Sequence, residues 1–235
     1  MLSISNAVTY PMEHDDWIKT ALIGGALFFF GFLFVPLLLV YGYIVRVIRH
    51  RLAEEPQPPT FSEWETLLTD GGKAFVIGFV YLLIPGIVGA FTVGGSILAI
   101  ATGTRSGAAA GIAGLAVGAL VTLVLSLVFG YVAVAAIVNF ASEGRLGAGF
   151  DVASIKTVVL SGDYAVGWGL SIAVFVAASL VVGILNGIPV LGTVVGAFVF
   201  FYAQVVAAYL WAGGYSDAHE ASEVTSQPDV GESPI

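Results

Sequence analysis

The sequence predicts an all-α fold: a polytopic membrane helix bundle of about five transmembrane helices, with two amphipathic interfacial helices on one side. Three observations carry this. Hydrophobic residues make up 58% of the chain and charged residues only 10%, against about 25% charged in soluble domains. The mean hydropathy is +0.97. Apolar runs of bilayer length, ~20 residues each, fill most of the 235 positions and leave no room for a separate soluble enzyme domain. Residues 1–215 read as one integral membrane domain, and residues 216–235 as its tail.

Residues 2–16 mix small, polar and apolar groups around Pro11, and Trp17 stands as an interfacial anchor where the apolar sequence begins. No basic n-region precedes that point, so the first span is expected to be retained rather than cleaved as a signal. From Ile18 to Val45 the only charge is Lys19. As one helix this stretch would measure about 42 Å, more than the ~30 Å hydrocarbon core, so tilt or a kink at Pro36 is expected.

Arg46, Arg49, His50 and Arg51 end this span, and the Pro56-Gln57-Pro58-Pro59 run forbids a continued helix. Thr60 and Glu63 have capping-box spacing, with Phe61, Trp64 and Leu68 on one face, which predicts a short helix over 60–71 lying on the membrane surface. A second span is predicted over 74–101, kinked at Pro85-Gly86, and a short turn follows around Arg105. Ala108 to Phe140 is too long for one crossing, so the third span is placed at 116–139 and the Gly- and Ala-rich start is read as partly loop or interfacial. Asp151 is the natural N-cap of a second surface helix over 151–161, with Val152, Ile155 and Val159 as its apolar stripe. Spans four and five fall at 165–185 and 190–211, around an Asn186-Gly187-Ile188-Pro189 turn. The acidic, proline-containing stretch from Ser216 onward is expected to be disordered.

Five spans place Arg46, Arg49, Arg51, Lys73, Arg145 and Lys156 on one side, with only Lys19 and Arg105 opposite. The positive-inside rule then gives a multi-pass protein of the cell membrane with its N-terminus outside and its C-terminus cytoplasmic. Each half reads as span, surface helix, span, and Tyr41-Gly42-Tyr43 precedes Phe61 much as Phe129-Gly130-Tyr131 precedes Phe150. That layout points to a parallel internal repeat.

Pro59-x-Phe61-x-x-Trp64, Leu67-Leu68-x-Asp70-Gly71 and Tyr81-x-x-Ile84-Pro85 are joined further on by Ile188-Pro189-x-x-Gly192 and Phe201-Tyr202. On these motifs the chain resembles, over residues 1 to about 215, an uncharacterised archaeal and bacterial multi-pass membrane family, the domain of unknown function numbered 4013. The resemblance implies a membrane location and a haloarchaeal-like source. It brings no activity, catalytic residue or ligand.

Net charge is -8, which argues against nucleic-acid binding, an affinity dominated by phosphate neutralisation. With Cys 0 there is no thiolate ligand or cysteine nucleophile. His14, His50 and His219 lack metal-ligand spacing, and no hydrolase or Walker pattern occurs, so no catalytic, cofactor or metal residue is assigned and the protein is read as non-enzymatic. Arg46, Arg49 and Arg51, with Phe61 and Trp64, are the candidate contacts for anionic lipid head groups or a partner. Their alternative role is purely topogenic. Thr122, Ser126, Asn139 and Gln204 are the polar residues deeper in the spans, and Asn139 and Gln204 are the candidates among them. They line a polar path in one reading and make interhelical packing bonds in the other, favoured one.

Small-xxx-small pairs such as Gly107/Gly111 and Gly114/Gly118 read as sites of close helix packing, within the chain or in a homo-oligomer. The leading functional expectation is a membrane scaffold or lipid/protein interaction module. The alternative, a small-solute transporter or channel subunit, rests on the repeat and on prolines Pro36, Pro85 and Pro189.

Overall fold

The computed structural model describes residues 3–226, which are all-helical with no strand among them. The helices are α1 (Ile4–Thr9), α2 (Trp17–Phe29), α3 (Val35–Leu52), α4 (Trp64–Ala101), α5 (Arg105–Glu143), α6 (Val152–Val159), α7 (Gly162–Leu185) and α8 (Pro189–Ser226). Short 3-10 turns occupy Tyr10–Met12, Phe30–Leu33 and Leu146–Phe150. Helices α4, α5 and α7, with Val190–Ala221 of α8, are each long and apolar enough to cross a bilayer. The described chain is a polytopic helix bundle, and the count of four crossings rises to 5 if the bent pair Ile4–Met12 and Trp17–Leu33 is taken as one span.

Two compact units are formed, one from residues 1–75 and 135–235, the other from residues 76–134. The first is organised around α8. Helix α2 descends along it: Trp17, Thr20 and Ala21 lie at Tyr202 and Val205, Gly25 abuts Phe198, and Phe29 reaches Val190, Thr193 and Val194. Helix α3 then climbs back, with Tyr43 5.6 Å from Phe201 and Arg51 4.8 Å above the Tyr209 ring. So α2 runs antiparallel to α8 and α3 parallel to it.

The stretch expected to be one span over 18–45 is therefore a hairpin. Its reversal falls at Phe34, two residues before the anticipated Pro36, where φ is +69°. A bulky residue with that backbone is an outlier that costs on the order of 1–3 kcal/mol and is held in place by its surroundings. Here Phe75 supplies the hold, edge-on at 5.0 Å. The reversal also returns the N-terminal segment to the basic end of α3. The Tyr10 hydroxyl donates to the Gln57 carbonyl at 3.4 Å, and the Tyr202 hydroxyl donates to Val8 O. Placing the N-terminus opposite the basic loop depended on a single crossing, and the antiparallel pair removes that basis.

Helices α3 and α4 cross at near backbone contact. A Cβ on Gly42 would strike the Leu67 carbonyl, and one on Gly71 would strike that of Leu38. This crossing begins within the segment expected to be a surface helix over 60–71. Instead, 60–63 is irregular, Glu63 has φ +51°, and Trp64 opens a single 38-residue helix through Pro85 to Ala101. Arg46 draws the Glu63 carboxylate away from the capping box and holds the backbone carbonyls of Thr60 and Ser62. One guanidinium nitrogen donates to Thr60 O at 3.2 Å and to Ser62 O at 2.8 Å, and the other reaches Glu63 at 3.3 Å. The first half of the proposed repeat thus lacks the separate surface helix of the second.

That second helix, α6, is present. The Asp151 carboxylate accepts from Ala153 N at 3.1 Å and from Ser154 N at 3.4 Å. Its buried residues are Ile155 and Val158, while Val152, counted in the sequence stripe, is exposed. Helices α7 and α8 pair antiparallel: Gly214 lies against Asp163 and Tyr164, and Gly196 against Val182. Helix α8 continues to Ser226, well past the position where a disordered tail was expected. Tyr215 and Ala218 are buried there, and that burial holds the extension. The remainder of the expected tail, 227–235, lies outside the described residues.

In the second unit, α4 and α5 form an antiparallel pair with a seam of small residues. Methyls at Gly114 and Gly118 would meet Ser96 Oγ at 2.6 Å and Thr92 Cβ at 2.5 Å. Close packing explains why the Gly- and Ala-rich start of α5, expected to be partly loop, is helical from Arg105. These glycine pairs serve contacts within the chain.

Gly42→Ala is expected to lower thermal stability in detergent by about 1–3 kcal/mol through forced separation of α3 and α4. Gly72→Ala, where an added Cβ meets nothing within 4 Å, serves as the control and should leave the melting temperature unchanged or raised.

Candidate functional site

The polar groups of the first unit collect where α3, α4, α5 and α8 present their basic and amide side chains. Arg49 stands on the last turn of α3. Its Nε donates to Ala141 O on α5 at 3.1 Å, and its Nη1 pairs with Asp70 on α4. The guanidinium also lies 5.8 Å from the Phe140 ring centroid. Lys73 Nζ approaches the other Asp70 oxygen at 3.9 Å. One carboxylate, 7% exposed, thereby faces two cations, and α3, α4 and α5 are tied at a single point.

Deeper in, Asn139 is 2% exposed. Its amide donates to Ala148 O at 2.8 Å and its carbonyl accepts from the Tyr215 hydroxyl at 2.6 Å. The first bond spans 9 residues, to the turn after α5, and the second 76, to α8. Gln204 lies half-buried on α8, apart from Asn139. Trp211 donates to Ser171 Oγ at 2.8 Å and fastens α8 to α7 in the same manner.

The five residues proposed as head-group or partner contacts divide. Arg46 is mostly buried by the loop it holds. Arg49 is committed to Asp70 and Ala141. Arg51 stacks on Tyr209. Phe61 stacks on Tyr43 at 4.2 Å and on Trp64 at 5.8 Å. Trp64 is 47% exposed and remains available at the surface. Beside them is an open groove of ≈ 390 Å³, lined by Arg46, Arg49, His50, Pro59, Thr60, Ser62, Glu63 and Thr66. Glu63 and Asp70 neutralise its arginines in part, and His50 Nδ1 lies 2.9 Å from the Glu55 carboxylate.

Sequence reasoning missed Asp70 and Tyr215 as members of this network. A signal for Asp70 existed: it is the last acid before a long apolar helix and follows three arginines. Tyr215 carried none, because its partner is 76 residues away. Among the described residues no group of 3 or more His, Cys, Asp or Glu is placed to hold a metal ion.

These features define an integral, multi-pass helical membrane protein whose polar side chains mainly bind its own helices together. Residues 26–187 match the family described as "Protein of unknown function (DUF4013)", and the chain belongs to that family. Comparison with curated proteins and with solved structures finds no match.

Tyr215→Phe leaves the buried Asn139 carbonyl without its donor and is expected to cost about 1–3 kcal/mol in thermal unfolding. Gln204→Ala should cost much less. A pH effect is expected at α6. The backbone amide and hydroxyl of Ser154 hold the Asp151 carboxyl below its ordinary value. Because the folded-state pKa is depressed, the cap contributes above the unfolded-state pKa and is lost as pH falls through the folded one. Protection of the Ala153 and Ser154 amides, as exchange relative to the intrinsic rate, should fall on acidification in the native protein and be low and pH-independent in Asp151→Ala.

Proposed function

We propose that this protein is a non-enzymatic scaffold of the cell membrane, which presents a surface near Trp64 to lipid or to a membrane-protein partner. The observation that carries the reading is the commitment of Asn139, Arg49 and Asp70 to bonds between helices. A translocation path needs polar groups left free to meet a solute, and these are occupied. The exposed Trp64 indole is suited to the membrane–water boundary. Six of the bases (Arg46, Arg49, Arg51, Lys73, Arg145 and Lys156) favour the cytoplasmic face for the loops that carry them. The bond between Tyr10 and Gln57 supports placing the N-terminal segment on that face too.

Purified protein in vesicles should pass no ions or small solutes above the protein-free background, while Trp64→Ala should weaken capture of partners from native lipid extracts. Solute flux that Asn139→Leu abolishes without unfolding the protein would replace this reading with the transporter one.

A further inference from the structure

The α2–α3 hairpin ends in a tip for which the scaffold reading has no use. From Ala21 to Val40 there is no polar side chain, and the tip faces outward: Phe32 is 76% exposed, and Leu33, Phe34 and Val35 are each about half exposed. In water such a turn would carry Gly, Asn or Asp and a polar helix cap. Here the reversing residue is Phe34, with no side-chain cap on α3.

The backbone is closed by other means. Phe30 N donates to Ala26 O, Phe34 N to Gly31 O at 2.9 Å and Leu38 N to Phe34 O at 3.1 Å. Pro36 sits in the first turn of α3, where a missing N–H removes one of the donors a helix start leaves unpaired. Internal satisfaction of the backbone, without polar side chains, is what hydrocarbon demands and water does not. Both ends of the hairpin are, by contrast, polar: Asp16 precedes α2, and Arg46 to Arg51 end α3.

We propose that α2–α3 is a re-entrant hairpin that enters and leaves the bilayer from the same face, with its Phe32–Val35 tip lodged among lipid acyl chains. The length supports it. Trp17 to Leu33 measures about 27 Å from the rise of its α and 3-10 parts, which brings the tip near the far edge of a ~30 Å core without passing it. Four helices then complete crossings, and the N-terminal segment and the loop at Gln57 share one face.

The absence of cysteine makes the test clean. Single variants Ser5→Cys, Gln57→Cys and Phe32→Cys are reconstituted in phosphatidylcholine/phosphatidylglycerol vesicles and treated with a membrane-impermeant maleimide from each side. Positions 5 and 57 should react from the same side, and position 32 should lose labelling from both sides. A spin label at 32 should collide more with oxygen than with a water-soluble nickel chelate, with the order reversed at 57. Labelling of position 32 from the side opposite 57 would overturn the proposal in favour of two full crossings. Labelling of 32 from the same side, protection of 32 from both collision partners, or disulfide-linked dimers through 32 would overturn it as well.

Discussion

Arg49 fixes the polar end of the first unit because a guanidinium cannot be deprotonated and must find acceptors wherever the fold carries it. It finds them on two different helices, the Asp70 carboxylate of α4 and the Ala141 carbonyl of α5. Breaking a partly buried pair leaves the partner charge stranded, which is more costly than never having had the pair. The crossing of α3 and α4 at Gly42 and Gly71 is compatible with this clasp only when the backbones nearly touch. Clasp and crossing thus require each other: small residues bring the helices close, and the ion pair sets their register.

The helical class, the spans near α4, α7 and α8, and the α6 cap were legible because each rests on local chemistry: apolar run length, a turn dipeptide, an aspartate before an apolar stripe. The hairpin was not. Its reversal occurs at a phenylalanine in a polar-free run, and hydropathy counts Phe34 as just another span residue. The surface helix over 60–71 failed for a related reason, since a long-range arginine takes the Glu63 carboxylate and binds the Thr60 and Ser62 carbonyls. Asn139 was singled out from sequence, and its two bonds go to Ala148 and Tyr215 of the chain itself. Its partner Tyr215 falls in the gap between the end expected for the fifth span, 211, and the start expected for the tail, 216.

The polar inventory also bears on what a membrane domain of this kind can do. In a bilayer, side chains that bind solutes must stay partly unsatisfied until the solute arrives. The amide of Asn139 and the carboxylate of Asp70 have already been satisfied by the chain itself. Exposed at the surface, by contrast, is the indole of Trp64.

Helix α8 carries a consequence for how the protein is made. It touches α1, α2, α3, α6 and α7, and it follows all of them in the order of synthesis. The N-terminal helices must therefore wait in the membrane, with Gly24 and Gly25 facing no partner, until Phe198 and Phe201 arrive to cover them. Assembly of the first unit thereby waits on the synthesis of α8, and a truncation anywhere before Val205 would leave the earliest-made segments without the surface they were built to meet.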